Sequence, residues 1–260
     1  MMSGFKFLIT MTVLQVTLWS GSLYAKDNSE DQNFPFKLSD TEARLVLHDF
    51  ASCSVDGNKS VARQLALMHP LDPLLHDTAN KLTDRECLET RYIAKTRLKF
   101  MPVSLRYTIA EALIHKEMKQ YFPAKFDGVP ALDHGEAPKI NTESLPVEPE
   151  KKKAALLGFE WEFQNWVIDS LGECAVRQAV PQSRQLVDTR PGSKAEKEAL
   201  VVMEGYFAKC RPQGLALTMN EFDMRGAVAV NYYRLALASF NPDTDIADKT
   251  KKQAMIGAKE

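Results

Sequence analysis

The sequence predicts an all-α fold made by tandem duplication of a roughly four-helix unit, with one disulfide inside each copy. Residues 46–70 align without a gap on residues 167–191, matching Val46 with Val167, Cys53 with Cys174, Val55 with Val176, Arg63-Gln64-Leu65 with Arg184-Gln185-Leu186 and Pro70 with Pro191. Average residue frequencies of roughly 5 to 7% would give only about one or two identities over such a window by chance. Apolar residues recur at helical spacing in the long segments. Helix-start and helix-stop residues also fall at the same offsets in the two copies.

The first segment is a targeting signal rather than part of the fold. Lys6 precedes an apolar run over residues 7–19, and small and polar residues follow up to Ser22-Leu23-Tyr24-Ala25. This is the layout of a secretory signal peptide over 1–25, cleaved after Ala25, and its apolar run is short for a membrane span. Residues 26–38 are polar and are expected to be a flexible N-terminus. The formal charge of −1 becomes −2 once Lys6, the one charged residue of the signal, is removed. That balance argues against nucleic acid as a partner, and no later stretch provides a stable membrane anchor.

Repeat 1 is placed at 39–122. Ser39-Asp40-Thr41-Glu42 is a capping box, and Leu45, Val46, Phe50 and Cys53 follow on one helical face. Asp56-Gly57-Asn58 ends this helix. A short helix from about Ser60 to Met68 is stopped by Pro70, as its counterpart from Pro181 to Thr189 is stopped by Pro191. Asp72, with Pro73 behind it, is then expected to cap a third helix running to Cys87, in register with one that Ser193 opens and that runs to Cys210. The fourth helices begin at Pro102 and behind Asn220. The stretch 227–238 is apolar on nearly every face except at Asn231 and Arg234, which predicts a central, buried helix.

Between the copies, residues 123–157 include Pro123, Pro130, Pro138, Pro146 and Pro149 and the run Lys151-Lys152-Lys153. They are expected to form an extended, poorly ordered linker. Repeat 2 is placed at 158–242 and a flexible tail at 243–260.

Four cysteines allow three pairings, and the duplication selects Cys53 with Cys87 and Cys174 with Cys210. Export places them where such bridges persist. No metal site is expected: there is no Cys-x-x-Cys, and the histidines form no close pair in sequence. Arg63 with Arg184, and Arg106 with Arg225, occupy matching positions. They are candidates for clamping an anionic ligand, against the plainer reading that each pairs with a carboxylate or a helix end. Trp161 lies off the face shared by Phe159, Phe163 and Trp166 and is a candidate stacking platform. Glu160 and Glu162 diverge by about 160° on a helix and cannot flank one glycosidic bond. Glu111 and His115 stand four residues apart and read as a helix-surface pair. Their counterparts are Val230 and Arg234, so any acid–base chemistry there belongs to one copy. No catalytic residue and no cofactor motif is found.

The Cys-x-Val segment, the proline-bounded short helix, the second cysteine and the late motif Leu105-Arg106-Tyr107-Thr108-Ile109-Ala110-Glu111-Ala112-Leu113 form a pattern. Its second copy is degraded to Met224-Arg225-Gly226-Ala227-Val228-Ala229. Together they resemble exported helical proteins of Gram-negative bacteria. The resemblance implies a periplasmic location, or secretion in another host, and implies no activity. The reading is a non-enzymatic periplasmic protein that binds an envelope protein or a small ligand, in a groove between facing copies. An envelope hydrolase acting on cell wall or sugar, and a periplasmic stress chaperone, are the alternatives.

Overall fold

The computed structural model describes residues 38–83, 87, 101–215, 217 and 219–240. The expected signal peptide, almost all of the N-terminal segment and the tail lie outside them. Eight α-helices carry the described residues, with no strand among them. They are α1 (Asp40–Gly57), α2 (Lys59–Leu67), α3 (Leu75–Asn80), α4 (Pro102–Glu117), α5 (Pro149–Gln178), α6 (Val180–Asp188), α7 (Lys194–Cys210) and α8 (Glu221–Phe240).

The capping chemistry explains most boundaries. The Glu42 N–H donates to Ser39 Oγ at 3.3 Å while the Ser39 N–H donates to Glu42 Oε2 at 2.8 Å, which closes the capping box of α1. Asn58 caps α2 through a bond from the Val61 N–H. Ser193 caps α7 through the Glu196 N–H at 3.1 Å, and Asn220 accepts from the Asp223 N–H at 2.8 Å at the start of α8. Pro102 and Pro149 sit in the first turns of α4 and α5, where a missing N–H costs nothing. The bounds of α2 and α6 keep the same offset that separates Cys53 from Cys174, and so do the ends of α1 and α5.

Three expectations are corrected. Asp72 does not cap a long third helix. Its carboxylate accepts from the Leu74 N–H at 2.8 Å and its carbonyl from the Leu75 N–H at 2.9 Å, which closes a separate turn, and α3 covers six residues only. The 123–157 segment is not a loose linker. Its last part is the start of α5, and the irregular chain before it is tied to the bundle through Phe126, Leu132, Asp133 and His134. The copies do not face each other across a groove. α4 packs directly on α8, and one continuous hydrophobic core draws on both halves.

That core is organised around α4 and α8. α1, α2 and α3 pack on α4, while α5, α6 and α7 pack on α8. Both central helices are covered all round, as a helix without a polar stripe must be. Leu105, Ile109, Leu113 and Ile114 of α4 are fully buried, each contributing about 1.5–3 kcal/mol of hydrophobic stabilisation. Two small residues set the close approaches. A Cβ on Gly172 of α5 would stand 2.8 Å from the Ala227 carbonyl of α8, and one on Gly226 would strike the Tyr107 ring. Cys53 is bonded to Cys87 and Cys174 to Cys210, as expected.

Candidate functional site

The helices packed around α4 and α8 bring together two groups of charges. The first is centred on Asp169 of α5. Its two oxygens accept from Arg106 Nη1 at 2.9 Å and Nη2 at 3.2 Å, a forked pair with both side chains fully buried. Arg234 Nη1 lies 3.4 Å from the same carboxylate, and His134 Nδ1 lies 3.3 Å from it. His134 Nε2 reaches Glu173 Oε2 at 2.6 Å. Glu173 also accepts from Arg177 Nε at 2.7 Å and from the Leu132 N–H at 3.0 Å.

The balance of forces differs from group to group. Burial pushes the Asp169 carboxyl up, but the charges of Arg106 and Arg234 and the His134 hydrogen bond outweigh it and hold it far below the usual carboxylate range. Burial pushes His134 down, and its bonds to Asp169 and Glu173 more than reverse that, leaving its pKa above the ordinary value. Asp169 is therefore ionised at any working pH, and His134 is biased towards the imidazolium.

The second group is centred on Arg225 of α8. Its Nε and Nη2 donate to Glu111 at 2.8 and 2.6 Å, and its Nη1 donates to Glu196 at 3.0 Å. It also caps the end of α6, donating to the carbonyls of Leu186, Val187 and Thr189. Arg44 pairs closely with Glu196 and reaches Glu221 at 3.2 Å. His48 Nε2 lies 3.5 Å from Glu111 Oε1, and His115 Nε2 lies 3.0 Å from the Val187 carbonyl. Burial holds His115 below its ordinary pKa against the pull of the Glu111 charge. His48, Glu111 and His115 can each offer one ligand atom, all within 4.8 Å of one another.

The arginines singled out in the sequence are thus absorbed by the fold. Arg106 and Arg225 hold buried carboxylates. Arg63 donates to Glu117 at 2.9 Å at the end of α4, and Arg184 pairs with Asp188 while donating to the Met118 carbonyl at 2.9 Å. Glu111 is not on a helix surface beside His115: it is buried and forked to Arg225. His48, Asp169, Glu173, His134, Arg44 and Glu196 are the polar residues of these groups that the sequence does not single out. Only the polar positions within apolar runs hint at them, Asp169 among Val167, Ile168 and Leu171 being the plainest.

Among the described residues, one pocket is a small enclosure and another a shallow depression. The one between His48, Glu111, Arg225, Tyr107 and Phe222 leaves about 10 Å³, room for about one water. The other, about 640 Å³, is a shallow depression along α6 beside Phe122, Arg184 and Ser193. Burial pushes the Asp223 carboxyl up to about 6, but it lines neither pocket and no second carboxylate pairs with it there.

What the fold does expose is the beginning of α5. None of residues 149–166 is buried, and Leu157 and Trp161 are 56% and 39% exposed. Phe159 stacks on Phe163 and Phe163 on Trp166, with ring centroids 6.0 and 6.3 Å apart. The Trp166 indole donates to the Gly135 carbonyl at 3.2 Å and ties the base of this arm to the irregular segment. No helix of the described residues is long and apolar enough to cross a membrane. No family model matches the chain, and no curated protein or solved structure matches it either.

Proposed function

We propose that this chain is an exported binding protein, without catalytic activity, whose partner docks on the amino-terminal arm of α5. The observation that carries the reading is that arm: the first 18 residues of a 30-residue helix, none of them buried, offering Leu157 and Trp161 to solvent above a stacked aromatic base. Exposed aromatic residues on a rigid helix are typical anchors of protein interfaces. The charged groups in the interior are already paired with one another, which leaves little for substrate chemistry.

Export rests on the signal-like start at 1–25 and on the two disulfides, which fit an oxidising compartment. The matching offsets of the ends of α1 and α5 and of both bounds of α2 and α6 support descent from a duplicated unit. The test is capture from a periplasmic extract, with the mature protein as bait and L157S/W161A as its comparison. The reading expects a discrete partner retained by the wild type and lost by the variant. Equal recovery by both would remove the arm from the account.

A further inference from the structure

We propose that His48, Glu111 and His115 form a binding site for one divalent first-row transition ion of the zinc type, with an imidazole nitrogen from each histidine and a Glu111 oxygen as its protein ligands. The three candidate ligand atoms lie within 4.8 Å of one another, drawn from two packed helices. Glu111 and His115 stand one helical turn apart on α4, and α1 brings His48 alongside them. Two histidines and a carboxylate are a recurrent ligand set for zinc and its neighbours, with a further position left to water.

The surroundings are those of ligating histidines, whose second nitrogen is turned to a carboxylate or a backbone carbonyl. His48 Nδ1 lies 3.3 Å from Asp49 Oδ1, and His115 Nε2 lies 3.0 Å from the Val187 carbonyl. With protons on those atoms, the lone pairs fall on His48 Nε2 and His115 Nδ1. His48 Nε2 then confronts Glu111 Oε1 at 3.5 Å, acceptor against acceptor, and a cation beside both removes that repulsion. Arg225 grips both Glu111 oxygens and so orients the carboxylate, while each oxygen keeps a further acceptor position. His48 and His115 are 26% and 32% exposed, which gives an ion a way in.

The other half of the molecule offers a comparison. At the positions corresponding to His48, Glu111 and His115 it has Asp169, Val230 and Arg234. There the cation facing the carboxylate is built in, as Arg234 Nη1 stands 3.4 Å from Asp169. Where Arg234 supplies a fixed charge, His115 leaves a place for one from solution. The geometry of the three ligands stands without this comparison, and the site is independent of the arm on α5.

The test is titration of the mature, fully oxidised protein with Co²⁺, followed by its visible absorption, and with Zn²⁺ by calorimetry. One equivalent should bind, and H48Q and H115Q should each weaken binding by more than about 100-fold, beyond the 10- to 100-fold typical of outer-shell changes. H76Q, at an exposed histidine away from the site, should bind as the wild type does. Circular dichroism confirms that the variants are helical, and H48Q alone decides the matter if H115Q fails to fold. Absence of binding by the wild type, or equal binding by H48Q, would overturn the site.

Discussion

Arg106 and Asp169 meet as a two-bonded fork in the interior, at 2.9 and 3.2 Å, across 63 residues of sequence and with neither side chain reaching solvent. The pair joins α4 of the first half to α5 of the second, so it helps to fix how the halves dock. Removing one partner of a buried ion pair strands the other, at a cost of about 3–5 kcal/mol. Asp169→Asn strands both Arg106 and Arg234, whereas Arg106→Met leaves Asp169 with Arg234 and His134. Urea unfolding should place both variants in that range, with Asp169→Asn the less stable. The reverse order would show that Arg234 and His134 do not compensate Asp169 once Arg106 is gone.

His134 predicts a loss of stability on the alkaline side. Its folded-state pKa is raised, so its contribution is complete below the unfolded value of about 6.5 and disappears as pH rises through the folded value. Asp169 works in the opposite sense: its depressed pKa gives stability above about pH 4 that is lost on acidification. Between pH 6 and 9 the urea midpoint of the wild type should therefore fall, and that of His134→Gln should stay level. Parallel profiles would remove His134 from the ionic group.

The glycines separate close packing from open helix. Gly172→Ala drives a methyl against the Ala227 carbonyl and should cost about 1–3 kcal/mol, because a backbone atom cannot step aside. Gly205→Ala in α7 meets nothing within 4 Å and should stabilise by up to about 1 kcal/mol through helix propensity. Thermal unfolding of the two variants should move in opposite directions.

Each disulfide closes a loop of similar length, 34 residues for Cys53–Cys87 and 36 for Cys174–Cys210. In the chain-entropy model each contributes about 4 kcal/mol. The double-serine variants C53S/C87S and C174S/C210S should lose comparable stability in denaturant melts. A much smaller loss for one would mean that its half keeps residual order when unfolded.

The parts of the fold legible in the sequence are those set by local chemistry. Ser39 with Glu42, Ser193, Pro102 and Asn220 mark helix starts because capping and proline geometry act within a turn. The cysteine pairing is legible because the expectation of a duplicated unit puts both partners of each bridge in one half, as the two disulfides do. The 123–157 segment misleads, since its prolines announce irregular chain but not the Glu173 carboxylate and Arg177 guanidinium that hold it down. The ionic groups are equally hidden. Arg106 finds Asp169 because α4 and α5 both pack on α8, and Arg225 finds Glu111 through the crossing of α4 and α8, and no local signal encodes either arrangement. His48 is illegible as a neighbour of Glu111 for the same reason.

The most direct test of the central claim, that the start of α5 is the working surface of an exported protein, is photo-crosslinking in cells. A photoreactive residue replaces Trp161, with a control at Lys197 on the exposed side of α7. The account predicts a discrete adduct from position 161 in the periplasmic fraction and none from position 197. No adduct from 161, or the same adducts from both positions, would contradict it.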